Sequence, residues 1–324
     1  MNDFAGNALA EKQCSVVVHT WVFLLFVAII DAFLMHDTHM HLSASTLPFT
    51  MLVFSALGVL AAIYRYARQD FGIYIGLQLT NQMIVGSLLL AGISYLGAWY
   101  DYPFRDETLE IFDYIPGFDW LSYITWVNDH GLVAGIYGFC YGATGPETLF
   151  LLLLLFLLKN YAAMQRFAIS FLGGGFITVM LATFWPARVA FEYHAISASA
   201  FPHIGIPESL NYLHDYYGMR SHTMHVLPSI FEGMAEFPSF HSMIAVFSIA
   251  AARSLTYLLP RYLMVGMNLI MLFATPVQGG HYFMDTMAGI IIGSIIVTVL
   301  NRIIPFEKTL KNAKEIHMSP RVPR

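Results

Sequence analysis

Charged side chains are scarce in this chain: Asp, Glu, Lys and Arg together make up 11% of its 324 residues, against 57% hydrophobic residues, with a mean hydropathy of +0.61. A soluble domain of this length carries about 25% charged residues. The composition therefore excludes a water-soluble globule and makes lipid the solvent of much of the surface. Cysteine is equally sparse: Cys14 falls outside the membrane and Cys140 inside an apolar run, which argues against a disulfide framework. The first apolar run lacks a basic n-region and a small-residue cleavage site, so it reads as a retained helix, not a signal peptide. No internal repeat, low-complexity tract or nucleic-acid signature is present.

What the chain does have is apolar runs of membrane-crossing length, about 17–25 residues. The sequence predicts an all-α, polytopic membrane bundle of about eight transmembrane helices, near 17–35, 46–64, 73–98, 132–158, 168–185, 240–258, 262–279 and 282–303. The fourth is interrupted by Gly142-Ala143-Thr144-Gly145-Pro146, the signature of a kinked span or a re-entrant piece. With eight spans, thirteen of the sixteen Lys and Arg residues share one face with both termini, and Arg105, Arg188 and Arg220 are left on the other. Positive-inside bias then puts the termini in the cytoplasm. The expected organisation is N-terminal helices over 1–166, a catalytic core over 167–304 and a basic cytoplasmic tail over 305–324.

Two long segments lie on the non-cytoplasmic face. Residues 99–130 are rich in aromatics and acids; apolar positions 118, 121, 124 and 127 predict an interfacial helix after a Pro116-Gly117 turn, either as a packing collar or as a lip for lipid access. Residues 186–237 are too long for a simple connection and read as a lid or headgroup-selecting element.

The chemistry concentrates in two stretches about forty residues apart, Pro238-Ser239-Phe240-His241-Ser242 and Gly280-His281-Tyr282-Phe283-Met284-Asp285. Each puts a histidine at the end of an apolar run, where a polar group is costly unless used. On a helix, His281 and Asp285 would share one face. A carboxylate there fixes the imidazole tautomer and stabilises its charged form, and His241 can act as proton donor. That is an arrangement for nucleophilic catalysis by histidine.

Together these stretches resemble the type 2 phosphatidic acid phosphatase superfamily. Phe237 to Ser242, and His281 to Asp285 followed by Met287-Ala288-Gly289, look most like its inositol phosphorylceramide synthase branch, with the resemblance covering 185–300. It implies a lipid-phosphatase-type core in the C-terminal half and a phosphohistidine on His281, with Asp285 orienting that ring. His241 would protonate the leaving alkoxide and then activate water or an acceptor alcohol. Ser239 and Tyr282 would add hydrogen bonds, and no metal or other cofactor is called for. The implied partners are membrane lipids: phosphatidic acid, phosphatidylinositol or a similar donor, with water or a lipid alcohol as acceptor, and no nucleic acid.

A transferring phosphoryl group also needs positive charge close by, and here the chain departs from the larger family. The arginine expected six residues before the nucleophile is replaced by Thr275. Lys159 and Arg166 have the family's Lys-x6-Arg spacing but precede Phe167 and fall on the cytoplasmic face. Arg188, in Trp185-Pro186-Ala187-Arg188, is the better candidate phosphate ligand, followed by Arg220 and then Arg105. Two other readings stay open. One is a metal site, from His241, His281, Asp285 and Glu236 or from the loop clusters His36/His39/His41 and His222/His225. The other is a lipid or solute transporter centred on Asp31, Asn81 and Glu147.

Overall fold

A computed structural model describes residues 2–43, 46–196, 200–204, 212–228 and 233–304; the basic tail expected over 305–324 lies outside them. In chain order the helices are α1 (Asn2–Thr38), α2 (Thr46–Ala62), α3 (Phe71–Ala98), α4 (Asp106–Tyr114), α5 (Trp120–Asp129), α6 (Gly131–Gly142), α7 (Thr144–Leu157), α8 (Tyr161–Phe184), α9 (Ala190–Tyr193), α10 (Tyr212–Arg220), α11 (Phe240–Ala252), α12 (Leu258–Gln278) and α13 (Phe283–Ile303). Two dipeptide strands, β1 (His41–Leu42) and β2 (Val226–Leu227), pair in parallel.

Six helices are long and apolar enough to cross a bilayer singly: α1, α2 with its π-helical continuation to Ala67, α3, α8, α12 and α13. The expected fourth span is the pair α6 and α7, bent by 52° at Ala143 between the glycines that interrupt the run. The expected sixth span is helical over only 13 residues, Phe240–Ala252. At 1.5 Å per residue α11 is about 20 Å long, shorter than a hydrocarbon layer of about 30 Å. Its start is fixed by Pro238 and by Ser239, whose Oγ accepts the Ser242 amide at 3.4 Å. The chain is therefore a multi-pass membrane helical protein in which one of eight apolar segments is short.

Polar residues inside the bundle are used between helices, as the cost of an unpaired group in lipid requires. Asn81 Nδ2 donates to the Phe54 carbonyl at 3.3 Å and Gln82 Nε2 to that of Val17 at 2.8 Å. Asn268 donates to Glu147 and so joins α12 to α7. Arg166 Nη1 donates to the Ile304 carbonyl at 2.7 Å, at the end of the bundle away from the two histidines. These bonds account for the intramembrane polar residues of the transporter reading other than Asp31.

The segments between the spans build a cap over the other end. One face of α5, formed by Trp120, Ile124 and Val127, is buried against Phe191 and Val277, whereas Leu121 and Trp126 are exposed. The expected interfacial helix is thus a collar on the bundle whose outer face is apolar. Trp120 Nε1 donates to the Pro276 carbonyl at 2.9 Å, satisfying one of the orphan acceptors at the end of α12. Helix α4 serves the start of α13 in the same way. Asp113 accepts the amides of Phe283 at 2.9 Å and Met284 at 2.8 Å. Burial raises Asp113 to about 6, so at neutral pH it holds these amides as a carboxylate.

Replacing Asp113 with Ala should strand two amides at the start of α13 at a cost on the order of 3 kcal/mol. The expected result is a clearly lower midpoint of thermal unfolding in detergent, with Asp113→Asn intermediate; an unchanged midpoint for Asp113→Ala would remove this brace from the account.

Candidate active site

The two motifs meet at the capped end of the bundle. Between α12 and α13 the chain turns through Gly279-Gly280, with Gly280 at φ +65°, a conformation that favours glycine. His281 follows on this turn and Tyr282 is the N-cap of α13. His281 and Asp285 therefore do not share a helical face as the spacing predicts. Asp285 instead folds back over the helix start, where its Oδ2 accepts the Tyr282 amide at 3.0 Å and lies 3.5 Å from His281 Nδ1. Closer to the ring is Glu236, with Oε2 3.2 Å from Nδ1. Neither carboxylate makes a regular hydrogen bond to Nδ1, and the unused oxygens Glu236 Oε2 and Asp285 Oδ1 are buried. With Nδ1 turned toward the two carboxylates, Nε2 is the ring nitrogen left for chemistry.

His241 is the second residue of α11. Its ring stacks on Tyr141 from α6, with centroids 4.3 Å apart, and Tyr141 Oη lies 3.1 Å from His241 Nδ1. Here too Nε2 is the nitrogen left over. Both histidines line one cavity of about 600 Å³. It runs from Glu236, Tyr212 and Tyr141 down between Leu90 of α3, Val179 of α8 and Phe240 of α11, so it is polar at the histidines and apolar below. The α11–α13 contact beside it is tight: a Cβ on Gly289 would run into the Ser239 carbonyl and come within 2.9 Å of Ser242 Cβ.

Burial dominates the electrostatics. It raises Glu236 to about 7, against the opposing pull of His281 and a hydrogen bond from Tyr212, with Asp285 adding to the rise. It lowers His281, which Glu236 partly counters. At neutral pH the ring is held neutral beside a carboxyl group close to its titration point.

The residues expected to meet phosphate lie elsewhere. Arg188 is tied to α4: its amide donates to Asp106 Oδ1 at 2.8 Å and its Nε to Oδ2 at 2.9 Å. Arg220 pairs with Asp101 at 2.5 Å and donates to the Tyr102 carbonyl at 2.8 Å. Arg105 lies over the Trp185 ring. Tyr282 donates to Asp106 at 3.2 Å, and Ser239 caps α11. None of these five side chains lines the cavity, and among the described residues that do there is no Lys or Arg. The physical reason is local: each arginine finds an acid, a carbonyl or a ring within the cap. The strand pair brings the loop histidine clusters together, with the His41 amide donating to the His225 carbonyl at 3.1 Å. His222 stacks on Trp99, centroids 4.2 Å apart. Among the described residues no three His, Cys, Asp or Glu side chains are arranged to hold a metal ion.

The profile of the PAP2 superfamily matches residues 108–299, more than half of the chain. The chain belongs to the PAP2 superfamily. No curated protein and no solved structure matches it significantly. Membership makes this a phosphatase-type membrane enzyme acting on lipid phosphates. The match begins inside α4, so the region shared with the PAP2 superfamily includes the cap helices and the bent pair as well as the two histidine motifs.

Sequence reading passed over Tyr141, Tyr212 and Asp113 and saw Glu236 only as a metal ligand. The last of these had a signal, an acid two residues before the Pro-Ser-x-His stretch. Tyr141 had none, since its partner is 100 residues away.

Two measurements probe this geometry. A Cβ on Gly279 would sit 2.6 Å from both His281 Cδ2 and Tyr141 Oη; Gly279→Ala is expected to cut turnover at least tenfold while unfolding stays within a few degrees of wild type. An acid raised by burial favours folding most when protonated, so the contribution of Glu236 is present below about pH 4.5 and lost as the pH rises through about 7. Glu236→Gln, which keeps the neutral shape, should therefore unfold at a higher temperature than wild type at pH 8 and at nearly the same temperature at pH 5.

Proposed function

We propose that this enzyme transfers the phosphoryl-bearing headgroup of a lipid phosphodiester to an alcohol through a covalent phosphohistidine on His281. The observation that carries the reading is the cavity: two histidines at its polar end, an apolar extension into the bundle, and no lysine or arginine along it. Sequence extends this last point, because the undescribed residues 197–199, 205–211 and 229–232 contain no basic side chain either. A phosphomonoester brings up to two negative charges and a diester one, so a site without fixed cations favours the diester. The resemblance to the inositol phosphorylceramide synthase branch names phosphatidylinositol as donor and a ceramide or glycerolipid hydroxyl as acceptor. With all but three basic residues on the face of the termini, the termini are cytoplasmic and the cavity end faces the periplasm, lumen or exterior.

In the first step the lone pair of His281 Nε2 attacks phosphorus and the bond to the lipid oxygen breaks. His241, entering protonated on both ring nitrogens with Nδ1 at Tyr141 Oη, gives its Nε2 proton to that leaving oxygen and is left neutral. Asp285 holds the turn that carries His281. In the second step the acceptor hydroxyl loses its proton to His241 and attacks phosphorus, and the P–N electron pair returns to the ring. A cavity of about 600 Å³ has room for a headgroup and part of its chains, so donor product leaves before acceptor binds. Water in place of the alcohol gives hydrolysis from the same intermediate, and membership in the PAP2 superfamily supports that outcome as the second reading.

The test offers purified full-length protein phosphatidic acid, phosphatidylinositol and ceramide in EDTA and follows the products by mass spectrometry. Headgroup transfer to ceramide is expected, lost by at least a thousandfold in His281→Ala. Release of inorganic phosphate from phosphatidic acid alone would make the enzyme a lipid phosphatase. Wild-type turnover by His281→Ala would sink the phosphohistidine, and loss of activity in EDTA the metal-free chemistry.

A further inference from the structure

We propose that a cavity between α1, α2 and α3 is a second lipid-binding site, and that its ligand is a neutral lipid donating a hydroxyl or amide hydrogen to Asp31. The cavity holds about 510 Å³ and its lining is almost wholly apolar. Its wall on α1 runs from Trp21 to Met35, about 20 Å at 1.5 Å per residue. Trp21 meets Phe54 edge to face at one end, centroids 6.0 Å apart, and Leu42 and Leu227 of the strand pair line the other. Leu25 and Met51 on its walls are 62% and 60% exposed, so the cavity opens sideways to lipid. Long, narrow and open to the bilayer, it has the shape of a lipid chain.

Asp31 is the observation that calls for a ligand. It lines this cavity, it is only 8% exposed, and its Oδ1 is buried with no hydrogen-bond partner. A Cβ on Gly92 would come within 2.9 Å of that oxygen, so the glycine lets α3 pass close by without supplying a donor. An unpaired acceptor is costly in an apolar medium. No Lys, Arg or His is among the described residues that line the cavity. A phosphate would find no cation here, and a cationic amine would have to leave water for an apolar pocket. The donor that satisfies Asp31 is therefore an uncharged group supplied by the bilayer. Position narrows its class. Asp31 lies about 10 Å along the axis from the end of α1 at Thr38 and about 15 Å from Trp21. A chain laid toward Trp21 brings the hydroxyl or amide at its root to the carboxyl. The site is distinct from the catalytic cavity. Leu88, Leu89 and Gly92 face it from α3, whereas Leu90, Ala91 and Ser94 face the histidines' cavity. The body of α3 separates the two, so a lipid beside Asp31 does not reach His281.

The experiment places the full-length protein in phosphatidylcholine nanodiscs with a trace of diazirine-bearing diacylglycerol, ceramide or phosphatidylcholine. After irradiation the labelled peptides are mapped by mass spectrometry. The diacylglycerol or the ceramide probe is expected to label the α1 and α2 peptides that carry Asp31 and Met51, and an excess of the same unlabelled lipid should abolish most of that label. Asp31→Leu, close in size and without a polar group, should lower the labelling at least fivefold and leave the unfolding midpoint unchanged or higher. Ala28→Phe, which fills the cavity from α1 and keeps Asp31, should lower it as much. Phosphatidylcholine, which has no hydroxyl or amide donor, should label these peptides weakly and equally in all three proteins. Stronger labelling by ceramide than by diacylglycerol assigns the amide as donor, and any other order assigns the hydroxyl. Undiminished labelling in Asp31→Leu, or labelling by phosphatidylcholine as strong as by the other probes, overturns the site. Labelling of peptides from the catalytic cavity should stay within twofold of wild type in both variants; a parallel loss there would mean that they disturb the whole bundle, and also overturns the assignment.

Discussion

Carboxylates closing on the first turn of α13 set the position of the turn that carries His281. The amides of Phe283 and Met284 go to Asp113, the amide of Tyr282 to Asp285, and the Tyr282 hydroxyl to Asp106. A helix start buried beneath a cap would otherwise leave several donors unsatisfied. Anchoring them on α4 means that the turn carrying His281 cannot move without breaking charge-assisted hydrogen bonds. Arg188 closes the same knot from the other side by pairing with Asp106.

This distribution of charge explains why no lysine or arginine is among the described residues that line the cavity. Three arginines are available at this end of the bundle, and all three are engaged within the cap. Acids outnumber them there, so the local field does little to draw in a highly charged anion. The histidines themselves, and the positive end of the α11 dipole beside His241, are what remains to meet a phosphate.

Much of this was legible in the sequence, for physical reasons. Apolar runs report membrane crossing because lipid accepts little else, and the interrupted run at Gly142–Pro146 showed where the bend would be. His241 and His281 stood out because polar groups at span ends are costly. What could not be read was the pairing across distance. Tyr141 meets His241 from another helix, and Asp113 caps a helix 170 residues further along. Arg188 was well placed by topology, yet Asp106 engages it, and no spacing rule carries that information. The short length of α11 was hidden because Arg253 to Tyr257 still read as a tolerable end to an apolar run.

That shortness has a consequence for the choice between water and alcohol. A helix of about 20 Å in a layer of about 30 Å leaves one end recessed below the headgroup plane, and the cap roofs the end at which His241 sits. Water activity falls beneath such a roof. On the proposed mechanism, a phosphorylated His281 would be resolved under that roof and not in bulk solution. On that reading, selection for transfer over hydrolysis would need no dedicated acceptor pocket, because the cap over the start of one truncated helix already limits the access of bulk water.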